Sequence, residues 1–184
     1  MLHDISHYCA KSDIKPEIAC VLVSKNEGKL ETVATDSYRL ARVSYSTNNE
    51  AILETIQPGL YHSKAFNLLC KILNAKKSTV EMKMYAVKAF IANKSSLDPK
   101  YYPDFNQLFT KVIKPEDITS GITKKYNISY LVDHLKLVAE LEEDIAILDS
   151  IDVSKCEEKR LSGSNFCLSF HNSKADLLLM MINK

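Results

Sequence analysis

Residues 16–41 read Pro16-Glu17-Ile18-Ala19-Cys20-Val21-Leu22-Val23-Ser24-Lys25-Asn26-Glu27-Gly28-Lys29-Leu30-Glu31-Thr32-Val33-Ala34-Thr35-Asp36-Ser37-Tyr38-Arg39-Leu40-Ala41. Ile18–Ser24 is an apolar run of strand length. Asn26-Glu27-Gly28 is a turn signal, and Leu30–Thr35 is a second run. A third run, Leu40–Ser46, closes at Thr47-Asn48-Asn49. The connections are too short for the crossover that parallel strands need, so the three runs predict an antiparallel sheet.

Outward from this stretch, helical patterns alternate with groups of strands. Before it, Leu2, Ile5, Tyr8 and Cys9 recur at helical spacing and predict a helix over 2–11, ended by Asp13 and Pro16. After it, Gly59–His62 reads as a short extended piece. Ala65, Phe66, Leu69, Ile72 and Leu73 then form one face of a helix over 64–75, with Asn67, Lys71 and Asn74 opposite. Val80, Met82 and Met84 alternate, so Thr79–Met84 and Val87–Asn93 are predicted as strands.

A third round begins at Tyr126. Leu131, Val132, Leu135, Val138 and Ala139 give the apolar face of a helix over 130–141, with Asp133, Lys136 and Glu140 outside. Strands follow at 145–151, 166–171 and 176–182. Between rounds two and three, 112–124 lacks periodicity and holds Pro115, Ser120 and Gly121, the composition of a linker. Three rounds of helix and antiparallel strands predict an α+β fold with helices on one face of the sheets.

Composition narrows the function classes. Hydrophobic residues at 46% and charged residues at 26% exclude a disordered or collagenous chain. Leu177–Ile182 is far shorter than the roughly 20 residues a membrane helix needs. The start, Met1-Leu2-His3-Asp4, lacks the basic-then-apolar order of a secretory signal. Five scattered cysteines, never spaced Cys-x-x-Cys, read as small core residues of a reducing cytosol. A net charge of +1 hides a basic middle: residues 51–127 carry 12 Lys+Arg against 6 Asp+Glu, and residues 128–184 carry 6 against 10. Such a middle permits contact with phosphates.

The candidates for chemistry are thin. His3 and His7 stand four apart, as two metal ligands can, but no third or fourth ligand stands nearby. Glu140-Leu141-Glu142-Glu143-Asp144 reads as the solvated end of a helix. No Gly-x-Ser-x-Gly elbow is present. The expectation is a chain with no catalytic residues, no metal and no cofactor.

Pro16–Val23 followed by Gly28–Ala41 resembles the bacterial sliding clamp, the beta subunit of DNA polymerase III. That family shows an apolar strand after Arg-Pro, a turn, and then Val-Ala-Thr-Asp-Gly-His-Arg-Leu-Ala. Here Ser37-Tyr38 stands in place of Gly-His. Three more segments agree in order. Tyr102-Pro103-Asp104-Phe105 resembles the Phe-Pro-Asp-Tyr that ends the family's middle domain. Tyr126-Asn127-Ile128-Ser129-Tyr130-Leu131-Val132-Asp133-His134-Leu135 resembles Phe-Asn-x-x-Tyr-Leu-x-Asp-x-Leu of its last domain. Asp176–Lys184 resembles the terminal strand, with Met181 where the family has Pro and Asn183-Lys184 where it has Arg-Leu.

The resemblance implies a sliding-clamp fold of three helix-plus-strands units. Residues 1–111 would be a two-unit domain like the family's middle domain, 112–124 a linker, and 125–184 a third unit. The chain would be a shortened homologue, of the kind a phage or other mobile replicon encodes. The implied function is a cytoplasmic processivity factor: a ring around duplex DNA, gripping it without sequence preference, that tethers a polymerase.

Carried over by position, the family's pocket for polymerase and clamp-loader peptides would draw on Ile18, Thr35, Ser37, Tyr38, Arg39, Leu40, Pro103, Gln107, Leu108, Leu178, Met180, Met181, Ile182 and Asn183. Arg39 is expected at its rim. Lys11, Lys15, Lys71 and Lys136 are the lysines expected to face DNA. A ring of twelve such units needs four copies of a three-unit chain, which makes a homotetramer the expected assembly, with strand edges pairing across at least one interface. A binding function of another class fits the same residues: a monomeric decoy or adaptor that holds such peptides without encircling DNA.

Overall fold

The computed structural model describes residues 2–12, 14–26, 28–46, 51–106, 126–142, 156–160 and 166–181. The chain divides into two compact units, one of residues 1–36 with 42–103 and the other of residues 37–41 with 104–184.

The first unit is built on β1 (Cys20–Asn26), β2 (Lys29–Thr35), the part of β3 (Arg39–Ser46) from Arg42 onward, and β4 (Gly59–His62), in the order β4-β1-β2-β3. β1 and β2 form the predicted hairpin, with Leu22 opposite Val33 and Asn26 opposite Lys29. Gly28 supplies the turn with a φ of 74°, a left-handed conformation that costs glycine nothing. Thr32, Val33 and Ala34 are all buried, so this strand is covered on both faces. Tyr102 closes over the pair. Its hydroxyl lies 3.2 Å from the Val33 carbonyl and 3.4 Å from that of Cys20, and burial pushes its pKa well above the ordinary value.

The N-terminal segment is not the predicted helix over 2–11. A 3-10 turn at Ser6–Tyr8 is the regular part, with Tyr8 N–H donating to the Ile5 carbonyl (2.9 Å). Competing bonds hold the rest. The Asn74 amide clasps Leu2, accepting from its N–H (3.1 Å) and donating to its carbonyl (2.7 Å). Asn67 bonds the Asp4 carboxylate. These two asparagines, expected on the solvent face of their helix, pin the N-terminus. Leu2, Ile5, Tyr8 and Cys9 are nonetheless buried as their spacing predicted.

A short helix, α1 (Ala51–Glu54), precedes β4. α2 (Ser63–Asn74) follows it and buries Phe66, Leu69 and Cys70; His62 Nδ1 accepts from Lys64 N–H at its start (3.3 Å).

The strands predicted over 79–93 do not exist. Val80–Ala92 is a single helix, α3. Thr79 caps it, its Oγ1 accepting from Met82 N–H (3.2 Å). Ala86, Val87 and Phe90 are buried at helical spacing. Phe90 stacks on Tyr61 with ring centroids 4.0 Å apart, and meets Phe66 edge-on at 6.1 Å. Tertiary packing of these residues overrides the alternation of Val80, Met82 and Met84. After α3 the chain returns to β4: Lys94 bridges Tyr61, and Ser95 N–H donates to the Leu60 carbonyl (2.8 Å). Gly59, with a φ of 151°, leaves room there, since a Cβ would lie 2.2 Å from Lys94 Cε.

The second unit contains α4 (Ile128–Leu141), β5 (Glu157–Arg160), β6 (Phe166–His171) and β7 (Ala175–Met180). β6 and β7 are antiparallel, with Leu168 opposite Leu179, and β5 pairs β6 with Glu158 opposite Leu168. The β6–β7 turn is held by Asn172, whose Oδ1 accepts from the Lys174 and Ala175 N–H groups at 2.8 Å each. Leu135, Leu168 and Leu179 form a core flanked by Tyr126, Tyr130, Leu131 and Cys156. The expected strand at 145–151 and linker at 112–124 lie outside the described residues. The free cysteines Cys9, Cys20, Cys70 and Cys167 are buried, and Cys156 is half-buried. Among the described residues no helix is long and apolar enough to cross a membrane, and no group of three or more His, Cys, Asp and Glu residues could hold a metal ion.

Candidate peptide-binding site

The site is built in the second unit, where residues 37–41 run beside β7. Ser37 has a φ of 77°, which side-chain-bearing residues rarely adopt. This turn sends the backbone of Tyr38 against the end of β7, where the Tyr38 carbonyl accepts from Met180 N–H at 2.8 Å. The Tyr38 side chain is 65% exposed. Met180, the last residue of β7, and Met181 after it are half-buried. An aromatic ring and two pliable thioethers are thus presented on a backbone held by a strand.

The next residue turns inward. Arg39 is only 3% exposed, so it does not stand at the rim as expected. Its Nη1 donates to Asp133 Oδ2 at 3.0 Å, and its Cζ lies 3.9 Å from the centroid of the Tyr130 ring. Both partners come from α4, three residues apart and therefore on one side of the helix. Asn127 sets the start of that helix. Its Oδ1 accepts from Ser129 N–H (3.0 Å), Tyr130 N–H (3.3 Å) and Ser129 Oγ (2.6 Å). The Tyr-Asn-x-x-Tyr-x-x-Asp pattern of residues 126–133 is thus a cap followed by an arginine clamp.

Beside the clamp, His134 is fully buried. Burial first, and the Arg39 charge second, pull its pKa down to about 4, so it is neutral at pH 7. Asp133, expected on the outer face of α4, is half-buried and faces the guanidinium. Sequence spacing offered no sign of this pairing; the signal available was the Tyr-Leu-x-Asp segment itself.

The remaining expected residues fall into three groups. Leu40 and Leu178 are buried in the second unit, as walls beneath the surface. In the first unit Ile18 and Thr35 are buried and Pro103 is exposed. Gln107, Leu108, Ile182 and Asn183 lie outside the described residues. Lys11, Lys15, Lys71 and Lys136 are all exposed. The arrangement around Tyr38 offers an exposed apolar surface on fixed backbone, a means of gripping a short segment with an apolar anchor.

No family model matches the chain, and no curated protein does. Solved structures do. A DNA polymerase sliding clamp from Pseudomonas aeruginosa, solved with ligand, superposes with a TM-score of 0.54 at 17% identity, covering 97% of this chain and 62% of that one. A DNA polymerase III subunit beta from the same organism, bound to griselimycin, gives a TM-score of 0.50 at 15% identity, covering 97% and 61%. This chain therefore spans about three fifths of the length of the clamps it matches. Over that length, its fold is that of a DNA polymerase sliding clamp.

Proposed function

We propose that the chain is a shortened sliding clamp, a cytoplasmic processivity factor that binds and does not catalyse. On this reading the surface around Tyr38, Met180 and Met181, over the walls Leu40 and Leu178, takes the apolar anchors of polymerase and clamp-loader peptides. The resemblance assigns Ile18, Thr35, Pro103, Gln107, Leu108, Ile182 and Asn183 to the same peptide pocket. Residues 1–111 and 125–184 act as a two-unit domain and a third unit joined by 112–124. Several copies, four by the count of units, enclose duplex DNA. Lys11, Lys15, Lys71 and Lys136 then give sparse phosphate contacts that do not read sequence, as a sliding ring requires.

The observation that carries this reading is the exposed Tyr38 ring, held by its own carbonyl to Met180 at the end of β7. An aromatic residue left largely in water, on backbone this well fixed, is placed for a partner. Calorimetry with a Gln-Leu-x-Leu-Phe peptide tests it. Met180→Ala should weaken binding by about 1–3 kcal/mol, the cost of truncating an anchor wall. Unchanged affinity removes the site assignment. Native mass settles the assembly: a single chain at micromolar concentration, with peptide binding intact, replaces the ring with the decoy reading. Salt titration of duplex affinity adds a third measure, since losing Lys71 and Lys136 should flatten the slope by roughly one unit per phosphate contact.

A further inference from the structure

We infer that the outer face of α3 is a contact surface for a second copy of this chain. The inference goes beyond the clamp reading, which makes no use of this helix. α3 buries Ala86, Val87 and Phe90 on one side. A surface helix is normally polar on the other, and this one is not. Tyr85 and Val80 are each 76% exposed and Met82 is 53% exposed, with Met84 also exposed, and Ala89 and Ala92 lie among them. These four larger side chains, spread over about 200° of the helix circumference, leave roughly 400–500 Å² of largely apolar surface in water, the size of the largest patch on a typical monomer.

The charges on this face favour a copy of itself over another occupant. It carries two, Glu81 and Lys88, seven residues apart and so aligned along the helix. An antiparallel packing about a two-fold axis between Met84 and Tyr85 places Glu81 of each copy opposite Lys88 of the other. Two-fold contacts are self-complementary, and opposite charges at both ends fix the register. Ala89 and Ala92 allow the helices to approach closely. Only the part of the face turned toward the axis is covered, so the contact removes well under ~1,000 Å² in total, the size of a weak association. Duplex DNA is the poorer match, because Met and Val side chains offer nothing to a phosphate.

The test uses the full chain, by light scattering and native mass spectrometry at tens of micromolar. Tyr85→Glu should reduce the assembled mass by half or more while circular dichroism and the thermal midpoint stay unchanged, since the residue is largely exposed. Glu81→Lys and Lys88→Glu should each weaken assembly at least tenfold, and the double exchange should restore it. Assembly that ignores Tyr85→Glu overturns the inference and leaves the ring reading standing. So does a double exchange no better than either single one. A wild-type chain of single mass overturns this surface and the ring together, and leaves peptide binding to its own test. Loss of duplex affinity in Tyr85→Glu at unchanged mass would make DNA the occupant, which also refutes the contact.

Discussion

Replacing Asp133 by alanine should cost more stability than replacing Arg39 itself. The guanidinium is 3% exposed, and Asp133 is its ionic partner at 3.0 Å. Asp133→Ala takes an ionic partner away from a buried cation that stacks on the Tyr130 ring. Breaking a fully buried pair in this way costs about 3–5 kcal/mol. The Asp133 side chain is 37% exposed, so water already screens part of the attraction, and about 2–3 kcal/mol is the better figure. Arg39→Met removes the charge, keeps most of the volume, and leaves an aspartate that water can reach, for about 1–2 kcal/mol. The double variant should resemble Arg39→Met, a coupling of roughly 2–3 kcal/mol, the whole cost of Asp133→Ala. Urea titration measures all three: with a slope near ~2 kcal/mol per molar, Asp133→Ala lowers the midpoint by about 1 M. A midpoint for Arg39→Met at or below that of Asp133→Ala refutes the reasoning, because the buried charge would then not be the costly element.

Two further outcomes follow from neighbours of this pair. His134 is neutral when folded, with its pKa pulled down to about 4, and takes a proton near pH 6.5 when unfolded. The unfolded chain therefore binds more protons between these values. The stabilising contribution is full above pH 6.5 and is lost as pH falls toward 4, by about 3 kcal/mol; thermal midpoints of the protein and of His134→Leu should diverge in slope over that window and not above pH 7. Ser37→Gly should raise stability by about 0.5–1 kcal/mol, because the left-handed φ of 77° penalises serine by more than glycine gains in unfolded entropy; a lower thermal midpoint would show that the Ser37 side chain contributes more than its backbone costs.

Much of this architecture was legible because burial and hydrogen bonding agree with local pattern. β1, β2, β3, β4, α2, α4, β6 and β7 lie where apolar period and turn residues placed them, within a residue or two at their ends. Where they disagree, the longer-range term prevailed. Val80-x-Met82-x-Met84 alternates like a strand, yet Phe90 needs helical phase to reach Tyr61 and Phe66. Leu2 to Cys9 has helical spacing, yet the Asn74 amide captures the backbone of Leu2. β5, of sequence Glu-Glu-Lys-Arg, carries no apolar period and was not anticipated; its register is set by pairing with β6. At the site, sequence indicated which segments mattered and misjudged which way Arg39 faces. Only the third dimension brings Asp133 and Tyr130, more than ninety residues away, to the same guanidinium.

The bridge from Lys94 and Ser95 onto β4 bears on how copies of this chain can multiply. A bare outermost strand is a template, and each newcomer that pairs with it offers another bare strand, so growth has no natural end. Here the segment after α3 occupies hydrogen-bonding positions of β4 that a newcomer would need, at Leu60 and Tyr61. Sheet extension from that side is stoppered by the chain's own backbone. Deleting or rebuilding residues 93–95 would thus do more than loosen a turn: it would convert a finite protein into one able to form fibres from this edge.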